Sequence, residues 1–178
     1  MIEAIAGDHD AESRAIQRMK GHYQRAEMLG KDQQRSDFFY PAMNRIAAAL
    51  IADGRRGARM NVDGDSVEAI RRGLSAKVRE DPDFWSLVGQ IELAVYESIG
   101  NGALAQRLPT IVDAYKDVHA RVPEMWMWSS VYDQAWLVLR SYALRAPANE
   151  KRAAKQLLNL LLAFRDGQKP KRLPTVTH

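Results

Sequence analysis

Three segments that begin with aromatic residues recur along the 178-residue chain at nearly even spacing. Their reference positions are Tyr40, Trp85 and Trp128, which stand 45 and 43 residues apart. A period of this length is typical of arrays of helical hairpins, in which each repeat buries its apolar face only against its neighbours. The repeat therefore predicts stacked helices, and it constrains the fold more than any other feature of the sequence.

Apolar residues follow helical spacing along the chain, and no stretch alternates as a half-buried strand would. We predict about seven helices, joined mostly by short connections that place successive helices antiparallel. Asp81-Pro82-Asp83 is predicted to open the fourth helix, with Pro82 at its first helical position. The predicted fold is all-α, a short right-handed α-solenoid of tetratricopeptide-like helical hairpins. We expect one domain over residues 1–165 and a disordered or linker tail over residues 166–178.

Composition excludes several classes of protein. The 26 Lys and Arg residues barely outnumber the 22 Asp and Glu residues and are interspersed with them, so nucleic-acid binding is not expected. The absence of cysteine excludes disulfides and thiolate chemistry and fits a cytoplasmic protein. No apolar stretch approaches the ~20 residues that span a membrane, and the four histidines lack metal-ligand spacing. We therefore expect no membrane insertion, no metal and no cofactor.

The repeated segments also resemble a known family. Residues 84–89 are similar to the aromatic opening of a tetratricopeptide helix, but the units are about ten residues longer than the ~34-residue tetratricopeptide repeat. Together, residues 37–45, 84–92 and 128–134 resemble the tetratricopeptide-like TRAF-binding region of apoptosis signal-regulating kinases and its bacterial relatives. The resemblance covers about residues 10–165. It implies an α-solenoid with a regulatory or scaffolding role, and it carries over no catalytic residue.

Polar residues follow the aromatic positions at matching offsets, on the helices that would line the concave side of such a solenoid. A row of amides and charges there is suited to hold a peptide or a terminal carboxylate. The alternative is that these groups satisfy one another or face solvent, and that the large aromatic side chains, Trp85 included, are core wedges. The candidate partner-binding groove consists of Tyr40, Asn44, Arg45, Gln90, Glu92, Asp133 and Gln134.

Two further stretches suggest interfaces. Met125-Trp126-Met127-Trp128 cannot all face inward on one helix, so Trp126 or Met127 is expected at the surface, suited to a partner. The last helix is apolar around more of its circumference than a terminal helix needs. Either its neighbours wrap it, or Leu161 and Phe164 dock onto another protein or a second copy of the chain.

The sequence thus predicts a non-enzymatic protein-interaction or scaffold module that regulates an effector partner through the groove or the terminal helix. The alternative is a sensor that binds a nucleotide-like small ligand in the concave groove. No serine-nucleophile motif is present, and only Glu92 and Asp133 suggest a pair of carboxylates, so we do not expect an enzyme.

Overall fold

The computed structural model describes residues 9–32, 38–56 and 64–168, and these residues form seven α-helices without a β-strand. The all-α prediction is therefore confirmed. Residues 169–178, which make up most of the predicted tail, lie outside the described ranges. The helices are α1 (His9–Asp32), α2 (Phe39–Arg56), α3 (Gly64–Glu80), α4 (Phe84–Asn101), α5 (Leu104–Arg121), α6 (Met125–Ala143) and α7 (Ala148–Arg165).

Local hydrogen bonds set both ends of α4. The Asp83 carboxylate accepts the Ser86 N–H at 2.7 Å, and the Ser86 hydroxyl oxygen accepts the Asp83 N–H at 3.1 Å, which completes a capping box. Pro82 therefore precedes the cap and lies two residues before Phe84, the first helical position, which the sequence predicts for Pro82 itself. Gly102 ends the helix with φ at 63°, a conformation that glycine adopts at little cost.

Helix α2 lies at the centre of the packing. It contacts α1, α3, α4 and α6, while α5 packs against α4 and α7, and α6 packs against α7. The helices α2, α4, α5, α7 and α6 thus follow one another in a closed circuit of contacts. In a linear solenoid each hairpin touches only the next one. The contact between α2 and α6 joins helices that are not neighbours along the chain, so the solenoid is not confirmed.

Trp128 on α6 is the centre of the aromatic core. Its side chain has no exposed area, and its indole N–H donates to the Val122 carbonyl oxygen at 2.7 Å. Its ring meets those of Phe84, Tyr115 and Phe164 at centroid distances of 5.3, 6.2 and 4.8 Å. One side chain therefore joins α4, α5, α6 and α7, as expected of a large aromatic wedge whose polar atom is satisfied.

The Leu-rich helix α7 is wrapped by its neighbours. Leu161 and Phe164 have no exposed area, and Phe164 stacks on His119 of α5 at 4.0 Å between ring centroids. Burial also lowers the pKa of His119. The expectation that Leu161 and Phe164 form an interface with another chain is corrected, because both complete the core of their own chain.

A carboxylate from α7 caps the start of α5. The N-cap residue, Ala103, has no side chain that can accept a hydrogen bond. The two carboxylate oxygens of Glu150 instead accept the Ala105 N–H at 3.1 and 3.2 Å, and one of them also accepts the Tyr142 hydroxyl at 2.8 Å. Burial, and then this hydrogen bond, raise the pKa of Tyr142. The buried carboxylate therefore joins α5, α6 and α7 where their ends meet.

Candidate functional site

A cavity of about 170 Å³ lies between α2, α3, α4 and α6. Helices α2, α4 and α6 each contribute residues at helical spacing, so that one face of each helix lines the space, and α3 contributes one residue. Three of the helices supply polar side chains, and all four supply apolar ones. The lining residues are Tyr40, Met43 and Asn44 of α2, Leu74 of α3, Trp85, Val88, Gly89 and Glu92 of α4, and Ser130, Val131 and Gln134 of α6.

The structure brings together four members of the predicted groove. Tyr40, Asn44, Glu92 and Gln134 come from three different aromatic-led segments and line the same cavity. The packing of α2 against both α4 and α6 is what makes them neighbours. Polar residues after each aromatic position thus share one space between four helices, although Asn44, Glu92 and Gln134 follow those positions at different offsets of 4, 7 and 6 residues.

Three other groove candidates lie elsewhere. Arg45 donates to the carboxylate of Glu27 at 2.5 Å and to the hydroxyl of Ser66 at 3.2 Å, which ties α2 to α1 and α3. Gln90 and Asp133 are exposed and are not among the lining residues. Each residue of an α-helix is rotated about 100° from the last. A residue two positions before Glu92 therefore faces away from the side that lines the cavity.

Glu92 is the one charged residue in the lining. It is only partly exposed, and burial raises the pKa of its carboxyl group from its ordinary value of 4.5 to about 8. Tyr96 and Tyr115 lie close to it, and their pKa values are raised well above 10.0 by burial first and then by the charge of Glu92. A carboxyl group with such a pKa changes its charge readily when a ligand arrives.

Asn44 and Glu92 are polar groups of the lining that are available to a ligand. Asn44 and Glu92 have no hydrogen-bond partner among the described residues. Every side-chain oxygen or nitrogen that is fully buried in the described part of the chain does have a partner. The polar atoms of Asn44 and Glu92 therefore remain accessible, and the cavity that they line is where a ligand would meet them.

A hydrogen bond between α6 and α4 holds the α6 side of the cavity in place. The Gln134 side-chain amide donates to the hydroxyl of Tyr96 on α4 at 2.8 Å. This bond uses one N–H of the amide and leaves the Gln134 carbonyl oxygen as an acceptor beside the cavity. On the opposite side, the Tyr40 hydroxyl donates to the Asp83 carboxylate at 3.3 Å, so the capping residue of α4 also orients a lining side chain.

Two tryptophans, here called the aromatic rim, stand at the surface beside the cavity. Trp85 lines the cavity and is 37% exposed, and its ring meets that of Trp126 edge-on at 6.3 Å. Trp126 is 63% exposed, in line with the surface position that the sequence predicts, while its role at an interface stays a prediction. The interpretation of Trp85 as a core wedge is corrected, because its position at the start of α4 leaves one face open.

Several lining residues are not among the sequence-based candidates. Val88 and Gly89 could have been found from the steps of three and four residues that connect Trp85 to Glu92 along one helix face. Met43 follows Tyr40 at the same step. Ser130 and Val131 precede Gln134 by four and three residues, so the same helix-face step connects them to a sequence-based candidate.

Other kinds of site are not found in the described ranges. Within them, no group of three His, Asp or Glu side chains is arranged to hold a metal ion. Of the described helices, none has the length and apolar character required to cross a membrane. The cavity and its aromatic rim are therefore the candidate functional site.

Comparison with models of known protein families, with curated proteins and with solved structures finds no match. The resemblance to the TRAF-binding region accordingly stays a prediction, and the function of the chain is argued from the geometry of the cavity.

Proposed function

We propose that this chain is a non-enzymatic protein-interaction module that docks a peptide segment of a partner protein. One side chain of the peptide enters the cavity, and the flanking residues lie on the aromatic rim. The observation that carries the proposal is the junction of two features at Trp85. This residue lines a cavity that contains the accessible polar groups of Asn44 and Glu92, and it also contacts the exposed Trp126. Aromatic residues beside a pocket are typical of interface hot spots.

The size of the cavity fits one side chain. A volume of about 170 Å³ is close to that of an engineered cavity of ~150 Å³ that binds benzene. Sites for larger small molecules usually measure about 300–1,000 Å³. The cavity therefore suits a single anchoring group, and the rest of a ligand must lie outside it, where the aromatic rim offers apolar area.

The same features argue against the nucleotide-like ligand that the sequence left as an alternative. The cavity is small, and its lining offers no basic side chain to pair with a phosphate group. The lining also offers no nucleophile paired with a base, which supports a binding role over a catalytic one.

Regulation of an effector partner and a cytoplasmic setting belong to the same proposal. The evenly mixed charges and the absence of cysteine support the cytoplasmic setting. A docking site that accepts one side chain is suited to reversible, regulated association, because the contact area is small.

Selection of peptides from a random display library tests the proposal. Ser130 is exposed and lines the cavity, so Ser130→Phe should fill the space without disturbing the core. Ser75→Phe places the same ring at an exposed position on α3 away from the lining and serves as the matched control. We expect peptides selected on the wild-type protein to bind Ser130→Phe at least about tenfold more weakly and Ser75→Phe equally well.

Trp126→Ala should weaken the binding of the same peptides, because it removes one of the two side chains of the aromatic rim. The proposal is overturned if no peptide is enriched over the background, or if the enriched peptides bind wild type and Ser130→Phe with equal affinity. Circular dichroism of each variant establishes that a loss of binding does not reflect unfolding.

A further inference from the structure

We infer that the group which enters the cavity is the primary ammonium of a lysine side chain in the partner peptide. This inference rests on the proposed docking function and names the chemistry of its anchor. It is carried by the juxtaposition of an accessible carboxyl group, two amide oxygens and an aromatic wall in one small space.

The acidic residue in the lining favours a cationic anchoring group. Glu92 is the one charged residue in the lining, and it has no basic partner among the described residues. A cation that leaves water needs an opposite charge beside it, because an unpaired buried charge is very unfavourable. The Glu92 carboxyl group supplies this charge in its ionised form, whereas the ionised form would repel an anionic anchor.

The acceptors match an ammonium group. An ammonium has three N–H donors and no acceptor. The lining offers the Glu92 carboxylate, the Asn44 amide oxygen and the Gln134 carbonyl oxygen, whose amide nitrogen already donates to Tyr96. A guanidinium is best bound by a planar, two-oxygen fork. The acceptor groups here lie on three different helices, α2, α4 and α6, so they fit the three diverging N–H donors of a compact ammonium better than one planar fork.

The apolar part of the lining suits the stem of a lysine side chain. Lysine buries its methylene chain along apolar surface while its charged end finds polar partners. The aromatic face of Trp85 can also attract the cation. The apolar lining residues are Met43, Leu74, Val88 and Val131.

Binding of the ammonium group is linked to the loss of a proton from the Glu92 carboxyl group. Because the pKa of the unliganded Glu92 is raised to about 8, its carboxyl group is mostly protonated at neutral pH. A bound ammonium favours the ionised form, so it lowers the pKa of Glu92, and affinity rises as the pH increases through 8. The lysine ammonium itself stays charged up to about pH 10.

The two tyrosines that lie closest in charge coupling to Glu92 do not ionise in this range. Tyr96 on the same helix and Tyr115 from α5 have pKa values raised well above 10.0. Helix α2 presents the phenol of Tyr40, α3 presents Leu74, and α6 presents the neutral side chains of Ser130 and Gln134. The pH dependence therefore reports on Glu92.

The test titrates the full chain with n-butylammonium, a probe that mimics the lysine side chain. Binding is monitored by NMR at pH 6.5 and at pH 9. We expect binding that perturbs the signals of the cavity residues and that is about 10- to 30-fold tighter at pH 9. The ¹³C shift of the Glu92 carboxyl should titrate at a lower pH when the probe is present. The neutral n-butanol and the anionic butyrate serve as matched probes, and both should bind more weakly than n-butylammonium at pH 9.

Glu92→Gln separates this inference from the proposed function. The variant keeps the shape of the side chain but cannot ionise, so it should bind n-butylammonium at least about tenfold more weakly and without pH dependence. Equal binding of n-butanol and n-butylammonium at pH 9, or unchanged binding by Glu92→Gln, overturns the ammonium assignment. The proposed function fails separately, when selected peptides are indifferent to Ser130→Phe.

Discussion

The carboxyl group of Glu92 should make the protein less stable as the pH rises. Its pKa is about 8 in the folded chain against an ordinary value of 4.5. Between these values the folded state holds a proton that the unfolded state has lost, so the free energy of unfolding falls. The full shift corresponds to about 5 kcal/mol, and partial exposure of the side chain makes the expected fall smaller. Above pH 8 this contribution is constant. Urea unfolding at pH 5, 6.5 and 8.5 measures the free energy of unfolding of wild type and of Glu92→Gln. This fall with rising pH should appear only in wild type. The exposed Glu68→Gln serves as control, and an equal slope in Glu92→Gln would contradict the assignment.

Residue patterns in the sequence predict part of this site. Polar residues that follow the aromatic positions include Asn44, Glu92 and Gln134, which line the cavity, but they follow at unequal offsets of 4, 7 and 6 residues. The one offset that all three segments share, five residues, selects three residues outside the lining: Arg45, Gln90 and Asp133. The side chain of Arg45 is held by Glu27, 18 residues earlier in the chain. Nothing local to Arg45 indicates that partner. Exposure of Trp85 is likewise decided by how α4 meets α6, which periodicity does not describe.

At the scale of helices, the cap that Glu150 provides for α5 should be a main determinant of stability. Glu150→Ala removes the acceptor for the Ala105 N–H, which is partly buried, and for the Tyr142 hydroxyl, which is buried. We expect a loss of roughly 2–3 kcal/mol in the free energy of unfolding. Chemical denaturation measures it, with Glu68→Ala as a control for an exposed acidic residue, which should change stability by less than about 0.5 kcal/mol. A loss for Glu150→Ala no larger than that of the control would show that the cap contributes little.

Helix boundaries were largely predictable, while this cap was not. The bounds of α4 follow from Asp83 and Gly102, whose capping chemistry acts over a few residues. The cap of α5 comes from a residue 45 positions away from the N–H that it accepts. Sequence signals for helix ends describe short distances along the chain, so a cap supplied by another helix leaves no trace near the end that it satisfies.

The whole molecule differs from the predicted array in one contact. The aromatic period predicts helical hairpins, and the helices are there, but α2 also packs against α6. This long-range contact brings the first and third aromatic segments together and encloses the cavity. Periodicity describes which face of each helix is apolar and cannot specify which distant helix covers it. The cavity therefore follows from the packing as a whole.

A closed circuit of contacts predicts cooperative unfolding. In a linear array each hairpin depends mainly on its neighbours, and one end can open alone. Trp128→Ala removes the ring that joins α4 to α7, and should cost about 3–5 kcal/mol. If the circuit acts as one unit, hydrogen exchange should accelerate together in α2, α4, α5 and α7. Trp126→Ala, two positions away on α6 and largely exposed, should leave these rates nearly unchanged. Persistent protection of α2 and α4 in Trp128→Ala would instead indicate independent hairpins, because only a linear array confines the loss of one wedge to its own repeat.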